Sequence, residues 1–156
     1  MKTLILYATK HGASREIADR VSKLMGSAVT HDLKQKDIPE LSEYDCVIVG
    51  SSIYAGMIRK EAKAYVRANT AALKEKTLGL FISGMDAEKQ DEYFTANFPP
   101  ELLKSAKGKA FLGGVFDPDK AGAIGKLIVK LVKGKAQYMN TVDDAAIERF
   151  TEKLKG

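Results

Sequence analysis

The sequence predicts an α/β domain in which a parallel sheet is wound on both faces by helices, and three observations carry that expectation. Its strand-like segments are continuous apolar runs rather than alternating ones, as in Leu4-Ile5-Leu6 and Cys46-Val47-Ile48-Val49, which marks strands covered on both sides. Strand-like and helix-like segments alternate along the chain with no Pro/Ser-rich linker, internal repeat or low-complexity tract, the pattern of one doubly wound domain over residues 1–156. The first strand runs straight into the hydroxyl-rich turn Thr9-Lys10-His11-Gly12-Ala13-Ser14, with an amphipathic helix behind it. That order builds an anion cradle at the carboxyl end of a strand.

Thr3 to Ala8 reads as the first strand and Ser14 to Met25 as a helix, in which Ile17, Ala18, Val21, Leu24 and Met25 keep helical spacing and which Gly26 ends. A short second strand spans Val29 to Leu33, and after a polar connection Asp45 to Gly50 forms the third. Arg59 to Lys74 is expected to be helical, Leu78 to Ser83 to be the fourth strand, and Glu88 to Ala106 to be a helical region interrupted by Pro99-Pro100, since proline removes a helical donor and clashes with the preceding turn. Ala110 to Phe116 is the expected fifth strand. Helices over Ala121 to Lys133 and Asp143 to Lys155 complete the chain, the last opening on two acids and closing among lysines, as the helix dipole favours.

Composition narrows the function. A chain of 156 residues, 45% of them hydrophobic, buries roughly two-thirds of its unfolded surface and needs no covalent staples. One cysteine, Cys46, and two histidines, His11 and His31, are too few soft or imidazole ligands for a structural zinc site or an iron–sulfur cluster. Cys46 lies in an apolar run and reads as a buried, inert thiol. The net charge is +5, yet 25 Lys and Arg are spread among 20 acids without aromatic–basic repeats, which argues against nucleic acid as a partner. The amino terminus starts a strand at once, with no basic and apolar leader, and no apolar run is long enough to span a bilayer. The expected location is cytoplasmic, at most peripheral to the inner face of the membrane.

The turn after the first strand is suited to phosphate. Backbone N–H groups there form a concave nest, and the positive end of the following helix points at the same spot. Thr9 and Ser14 add hydroxyl donors at its two rims, Gly12 lets the main chain approach a ligand, and Ser14 or a neighbour is placed to cap the helix. Ala13 lies inside the turn, while Lys10 and His11 are expected on its solvent side. The alternative is a plain strand-to-helix turn in which Ser14 is only a cap.

The Thr9-x-x-Gly12-x-Ser14 turn, set after strand one of a five-stranded α/β chain, resembles that of the flavodoxins over the whole chain. The Met1-Lys2-Thr3-Leu4-Ile5-Leu6 start, the Gly50-Ser51-Ser52-Ile53 turn and the Gly113-Gly114 stretch are most similar to the flavodoxin-like menaquinone-dependent protoporphyrinogen oxidases. The resemblance implies a sheet of order 2-1-3-4-5, FMN as cofactor, and the phosphate of FMN in this turn. It further implies that two other loops at the same sheet edge hold the isoalloxazine: Ser51-Ser52-Ile53-Tyr54-Ala55-Gly56-Met57 and Ser83-Gly84-Met85-Asp86. Gly56 and Gly84 permit backbone groups to aim at a ring edge, and Tyr54 and Met85 offer flat or polarizable surface. Ser51 and Ser52 read equally well as ordinary turn hydroxyls. In the resembling oxidases an arginine and then an aromatic stand between the isoleucine and the glycine; here those positions are Tyr54 and Ala55.

The expected function is an FMN-binding redox protein that transfers electrons through its flavin, with a quinone-linked protoporphyrinogen oxidase of haem biosynthesis as the alternative. A backbone carbonyl near Ala55 or Gly56 that turns toward the flavin N5 favours states in which that nitrogen carries hydrogen, and about 1.4 kcal/mol of such preference moves a one-electron potential by about 59 mV. No catalytic acid, base or metal ligand is nominated. A non-redox module of the response-regulator kind requires acids after strand one and an aspartate after strand three; those positions hold Tyr7-Ala8-Thr9 and Val49-Gly50-Ser51. In the helix expected over Ala121 to Lys133, Lys126, Lys130 and Lys133 share a face opposite the apolar stripe. That face is either solvated or a dock for an anionic membrane surface or an acidic redox partner, and the expected partner in electron transfer is a redox protein or a quinone.

Overall fold

The computed structural model of the chain describes residues 1–118 and 138–156. The expected helix over Ala121 to Lys133, with Lys126, Lys130 and Lys133, lies outside the described residues.

Five strands form the parallel sheet: β1 (Thr3–Ala8), β2 (Ala28–Asp32), β3 (Cys46–Tyr54), β5 (Thr77–Ser83) and β6 (Gly108–Phe111). Their order is β2-β1-β3-β5-β6, with the two-residue β4 (Met57–Ile58) pairing antiparallel on β3. Setting β4 aside, this is the expected order 2-1-3-4-5, with the reversal between β1 and β3. Alternation along the strands divides the core in two, as the two-residue side-chain period requires. Leu4, Leu6, Val47, Val49, Leu78, Leu80 and Ile82 face one layer of helices, α2 (Lys60–Ala68) to α5 (Pro100–Ser105). Ile5, Tyr7, Cys46, Ile48 and Phe81 face the other layer, α1 (Ala13–Met25) and α6 (Asp144–Lys155). Burial pushes the Cys46 thiol pKa up, so the group is a neutral core residue.

The α1/α6 layer sits close to the sheet because glycine occupies the strand positions beneath it. A Cβ on Gly79 would meet Leu154 and Phe150, and one on Gly50 would run into the Phe81 ring. Phe81 in turn packs edge-on against Phe150, with ring centroids 6.3 Å apart. Across the outside of this layer Arg20 of α1 reaches Asp144 of α6 at 2.7 Å.

Several boundaries differ from the sequence expectation, each for a local reason. The expected helix from Arg59 to Lys74 is divided into α2 and α3 (Thr70–Lys74) at Asn69, whose backbone leaves helical geometry at φ −121°, ψ 18°. The region from Glu88 to Ala106 becomes a short 3₁₀ turn (Ala87–Lys89), α4 (Gln90–Asn97) and α5, with the break at Phe98 and Pro99. The third strand does not stop at Gly50 but continues to Tyr54 and folds back as β4. The expected fifth strand from Ala110 to Phe116 is two strands: β6 ends at Phe111, and β7 (Val115–Phe116) pairs antiparallel with β8 (Met139–Asn140). Gly113, at φ +82°, turns the chain between them, and its carbonyl accepts from Gly84 N–H at 3.1 Å. Among the described residues no helix is long and apolar enough to cross a membrane.

The Gly50 contact can be tested. Gly50→Ala should destabilise the protein by about 1–3 kcal/mol, the usual cost of overpacking a filled core, read from the urea midpoint. Adding Phe81→Leu should recover part of the loss; a neutral Gly50→Ala would contradict the close approach.

Candidate functional site

At the carboxyl edge β1 and β5 end within one residue of each other in register, and β3 between them runs two residues past β5 to Tyr54. Ala8 pairs with Ser51, Ser51 with Ile82, and Ser52 with Ser83, so the segments that follow β1, β3 and β5 leave the sheet side by side. This edge carries the three segments that the sequence marked as candidate cofactor-binding loops.

The turn after β1 is shaped by one side chain and one glycine. Thr9 Oγ1 accepts a hydrogen bond from Gly12 N–H at 2.8 Å, leaving its own O–H to donate outward. Of Ser14 and its neighbours, expected to supply the cap, it is Gly12, at φ +98°, that holds the N-cap position of α1, without a side-chain cap bond, while Ser14 lies inside the first turn. The first helical bond runs from Glu16 N–H to Gly12 O at 3.1 Å. The amides of Ala13, Ser14 and Arg15 therefore have no helical acceptor, as at any helix start. The Ser14 side chain is fully buried and its Oγ has no hydrogen-bond partner. A buried hydroxyl left unpaired costs about 1–3 kcal/mol, and such an atom beside three unspent amides fits an anionic ligand carrying several acceptor oxygens. No atom outside the turn's own chain neighbours lies within 4 Å of a Cβ built on Gly12, so the approach is open. Lys10 and His11 are exposed. The Lys10 ammonium lies over the Tyr54 ring, 3.3 Å from its centroid, and so links this turn to the next loop.

The segment after β3 is a hairpin. Ile53 pairs with Ile58 and Tyr54 with Met57, leaving Ala55-Gly56 as a two-residue tip with φ of 50° and 78°, both positive as in a type I′ turn. A non-glycine residue in this region costs about 1–2 kcal/mol, and backbone strain of that kind concentrates at ligand clamps. Tyr54 and Met57 are 41% and 43% exposed, two large apolar side chains held in the open at this edge. At the hairpin base the Ser51 hydroxyl donates to Ser52 O and accepts from Arg59 N–H, both at 2.9 Å; it pins the loop rather than facing outward. Ser52 Oγ, by contrast, is buried without a partner.

The segment after β5 packs on the hairpin. A Cβ on Gly84 would strike the Ile53 side chain, so glycine sets how near the two loops come. Ser83 is buried, Thr141 Oγ1 lies 3.9 Å from the Met85 sulfur, and Asp86 meets Lys89 at 3.9 Å. Sequence reasoning missed Asn97, which ties α4 to the hairpin across 41 positions through Gly56 O. Nothing local in the chain signals that contact. A groove of about 240 Å³ runs beside the phosphate-type turn, between Gly12 and Ala13 on one side and Val115 and Tyr138 on the other. A larger hollow of about 360 Å³ lies at the opposite, amino edge between Leu41 and Tyr65; there burial, then Glu40, pushes the Tyr65 pKa up to about 12.

An open parallel sheet of this order, with unspent amides and hydroxyls at its switch point, places the chain in the class of doubly wound α/β proteins. Comparison with known proteins makes the class specific. The flavodoxin domain family matches residues 4–143. The chain is 28% identical over 128 residues to the protoporphyrinogen IX dehydrogenase [quinone] of Escherichia coli strain K12, covering 80% of this chain and 67% of that protein. Among solved structures, oxidised flavodoxin 2 from Bacillus cereus superposes with a TM-score of 0.64 at 20% identity, covering 99% of this chain and 98% of that one. A short-chain flavodoxin associated with a non-canonical PDU bacterial microcompartment gives 0.62 at 16% identity, covering 99% and 97%. A Lactobacillus acidophilus flavoprotein solved in complex with FMN gives 0.51 at 14%, covering 76% and 95%. The chain belongs to the flavodoxin family, and its class is that of flavodoxin-like electron-transfer proteins.

The hairpin geometry has a measurable cost. Ala55→Gly relieves about 1–2 kcal/mol of left-handed strain against about 0.4–1 kcal/mol of added chain entropy. The variant should therefore gain roughly 0.5–1 kcal/mol in ligand-free urea unfolding. A loss would show that Ala55 is not strained.

Proposed function

We propose that this chain binds FMN along the carboxyl edge of its sheet and serves as an electron carrier. The observation that carries the reading is the fully buried, unpartnered Ser14 hydroxyl beside three helix-start amides with no acceptor. In this reading the amides of Ala13, Ser14 and Arg15 and the hydroxyls of Thr9 and Ser14 hold the phosphate, with Gly12 giving backbone access and Lys10 and His11 at the rim. Tyr54 and Met57 on one loop and Met85 on the other flank the ring and keep water from its faces, while the backbone of Ala55, Gly56, Gly84 and Asp86 meets its edge. Ser52 offers a hydroxyl from within the hairpin. Ser51, Ile53 and Ser83 set the loops' positions. When bound, the flavin supplies one- and two-electron redox chemistry, and the protein's part is to orient it and to set its potential by hydrogen bonds and charge.

Charge indicates the partner's sign. FMN brings roughly two negative charges to a chain of net charge +5, so the loaded protein stays basic and favours an anionic partner. An acidic redox protein and an anionic membrane surface meeting Lys126, Lys130 and Lys133 both satisfy that requirement. A second reading, a quinone-linked porphyrinogen dehydrogenase, is favoured by one observation, the 28% identity to the Escherichia coli enzyme across 80% of this chain. Sustained oxidation of protoporphyrinogen with a quinone as acceptor would select it; electron exchange without such turnover selects the carrier.

Purified protein should be yellow and release FMN on denaturation. Thr9→Ala and Ser14→Ala should each weaken FMN by about 10- to 100-fold, since a hydrogen bond to a charged group contributes about 1.5–3 kcal/mol. Gly12→Val should do at least as much damage, and Lys10→Ala less, all read by quenching of flavin fluorescence. Colourless protein that takes up no FMN would end the reading, and Lys10→Ala as the worst variant would overturn the amide cradle.

A further inference from the structure

Asn97 ends α4 and is buried, yet its carboxamide makes three hydrogen bonds. Nδ2–H donates to Gly56 O at 2.9 Å and to Tyr93 O at 2.8 Å, and Oδ1 accepts from Ile58 N–H at 3.0 Å. Gly56 C=O and Ile58 N–H project from the same side of the returning strand, the side that β3 does not cover. Asn97 therefore pairs with β4 as a neighbouring strand would, through one side chain. A strand of two residues held only by β3 is weakly fixed, so the carboxamide decides where the hairpin tip stands.

This has a consequence for the two tip carbonyls. Gly56 O is tied into a part-buried bond, and turning the Gly56–Met57 peptide would take away one of the three hydrogen bonds of the Asn97 carboxamide. Ala55 O accepts no hydrogen bond from the described residues. The Ala55–Gly56 peptide is thus free to rotate about its two positive-φ residues while the rest of the hairpin stays anchored.

We propose that Asn97 is a positioning residue for the redox site: it locks Gly56 O, leaves Ala55 O as the one tip carbonyl able to turn toward bound flavin, and thereby sets the spacing between the flavin's two one-electron potentials. The proposal rests on the FMN reading. Its closest variant is Asn97→Asp, which keeps the acceptor for Ile58 N–H but replaces the donor to Gly56 O and Tyr93 O with an oxygen.

The experiment compares wild type, Asn97→Asp and Leu154→Ala, the last a core truncation in the opposite helical layer. FMN affinity and both one-electron potentials are measured, together with the exchange rate of the Ile58 amide in ligand-free protein. Asn97→Asp sets a carboxylate oxygen against Gly56 O and Tyr93 O, and that repulsion should loosen the hairpin, speed Ile58 exchange and change the equilibrium constant between the two steps at least tenfold, which is 59 mV in their separation. Leu154→Ala should lower the unfolding temperature without moving the separation. Should the aspartate variant not fold, Asn97→Ser, which loses the bridging carboxamide, carries the same test. Normal FMN uptake with an unchanged separation in the Asn97 variant overturns this proposal alone, as does an equal change in Leu154→Ala. Failure of wild type to take up FMN overturns the functional reading and this proposal with it.

Discussion

Unspent hydrogen-bond donors at the start of α1 are the constraint on which the rest of the molecule depends. A helix must begin with amides that lack a helical acceptor, and in most helices water or a capping side chain satisfies them. Here the cap is Gly12, which has no side chain to offer, and the nearest hydroxyl that helps, Thr9, accepts only from Gly12 itself. Ser14, in the first turn, is sealed from solvent with its hydroxyl unpaired. Folding thus leaves a donor-rich pocket that an anion with several oxygens completes. The cost of holding it falls on the core beneath, where β1 is buried along its whole length and flanked by β2 and β3.

The strand register carries that local chemistry across the sheet. Because β1 and β5 end on either side of the point where β3 runs on into its hairpin, the donor-rich turn, the hairpin and the Gly84 segment meet at one edge without any long connection. Glycine then sets the spacing: Gly84 allows Ile53 to close against the third segment, as Gly50 and Gly79 allow the α1/α6 layer to close on the sheet. The Lys10–Tyr54 contact joins the first two segments directly. Among the described residues two non-glycine positions, Asp37 and Ala55, have positive φ, and Ala55 sits at the tip of the hairpin rather than in the scaffold.

What the sequence made legible follows from how local each signal was. The parallel sheet and its order rested on continuous apolar runs such as Cys46 to Val49, and the anion turn on Thr9, Gly12 and Ser14 lying within six positions of one another. The last helix was legible from its apolar spacing and its opening acids, but Asp143, read as its first residue, stands just before it and caps α6 by accepting from Ala146 N–H. The hairpin was hidden because Ser51 to Met57 carries no Asn-Gly or Asp-Gly tip; Ala55 supplies a positive φ that its residue type does not announce. The split of the fifth strand was hidden because Leu112-Gly113-Gly114 reads as a strand with two glycines until Gly113 is seen bonded to Gly84. Asn97 was invisible because its partners lie 39 and 41 positions away. Short-range chemistry was readable; side chains that act across the fold were not.

The most direct measurement is a titration of ¹⁵N-labelled protein with FMN, followed amide by amide. Saturation should move the resonances of Ala13, Ser14 and Arg15 downfield as their N–H groups acquire phosphate acceptors, with parallel changes at Ala55, Gly56 and Gly84 to Asp86. If those helix-start amides stayed in place at saturating FMN, or if the shifts gathered around Leu41 and Tyr65 at the amino edge, the cradle at the head of α1 would not be the flavin phosphate site.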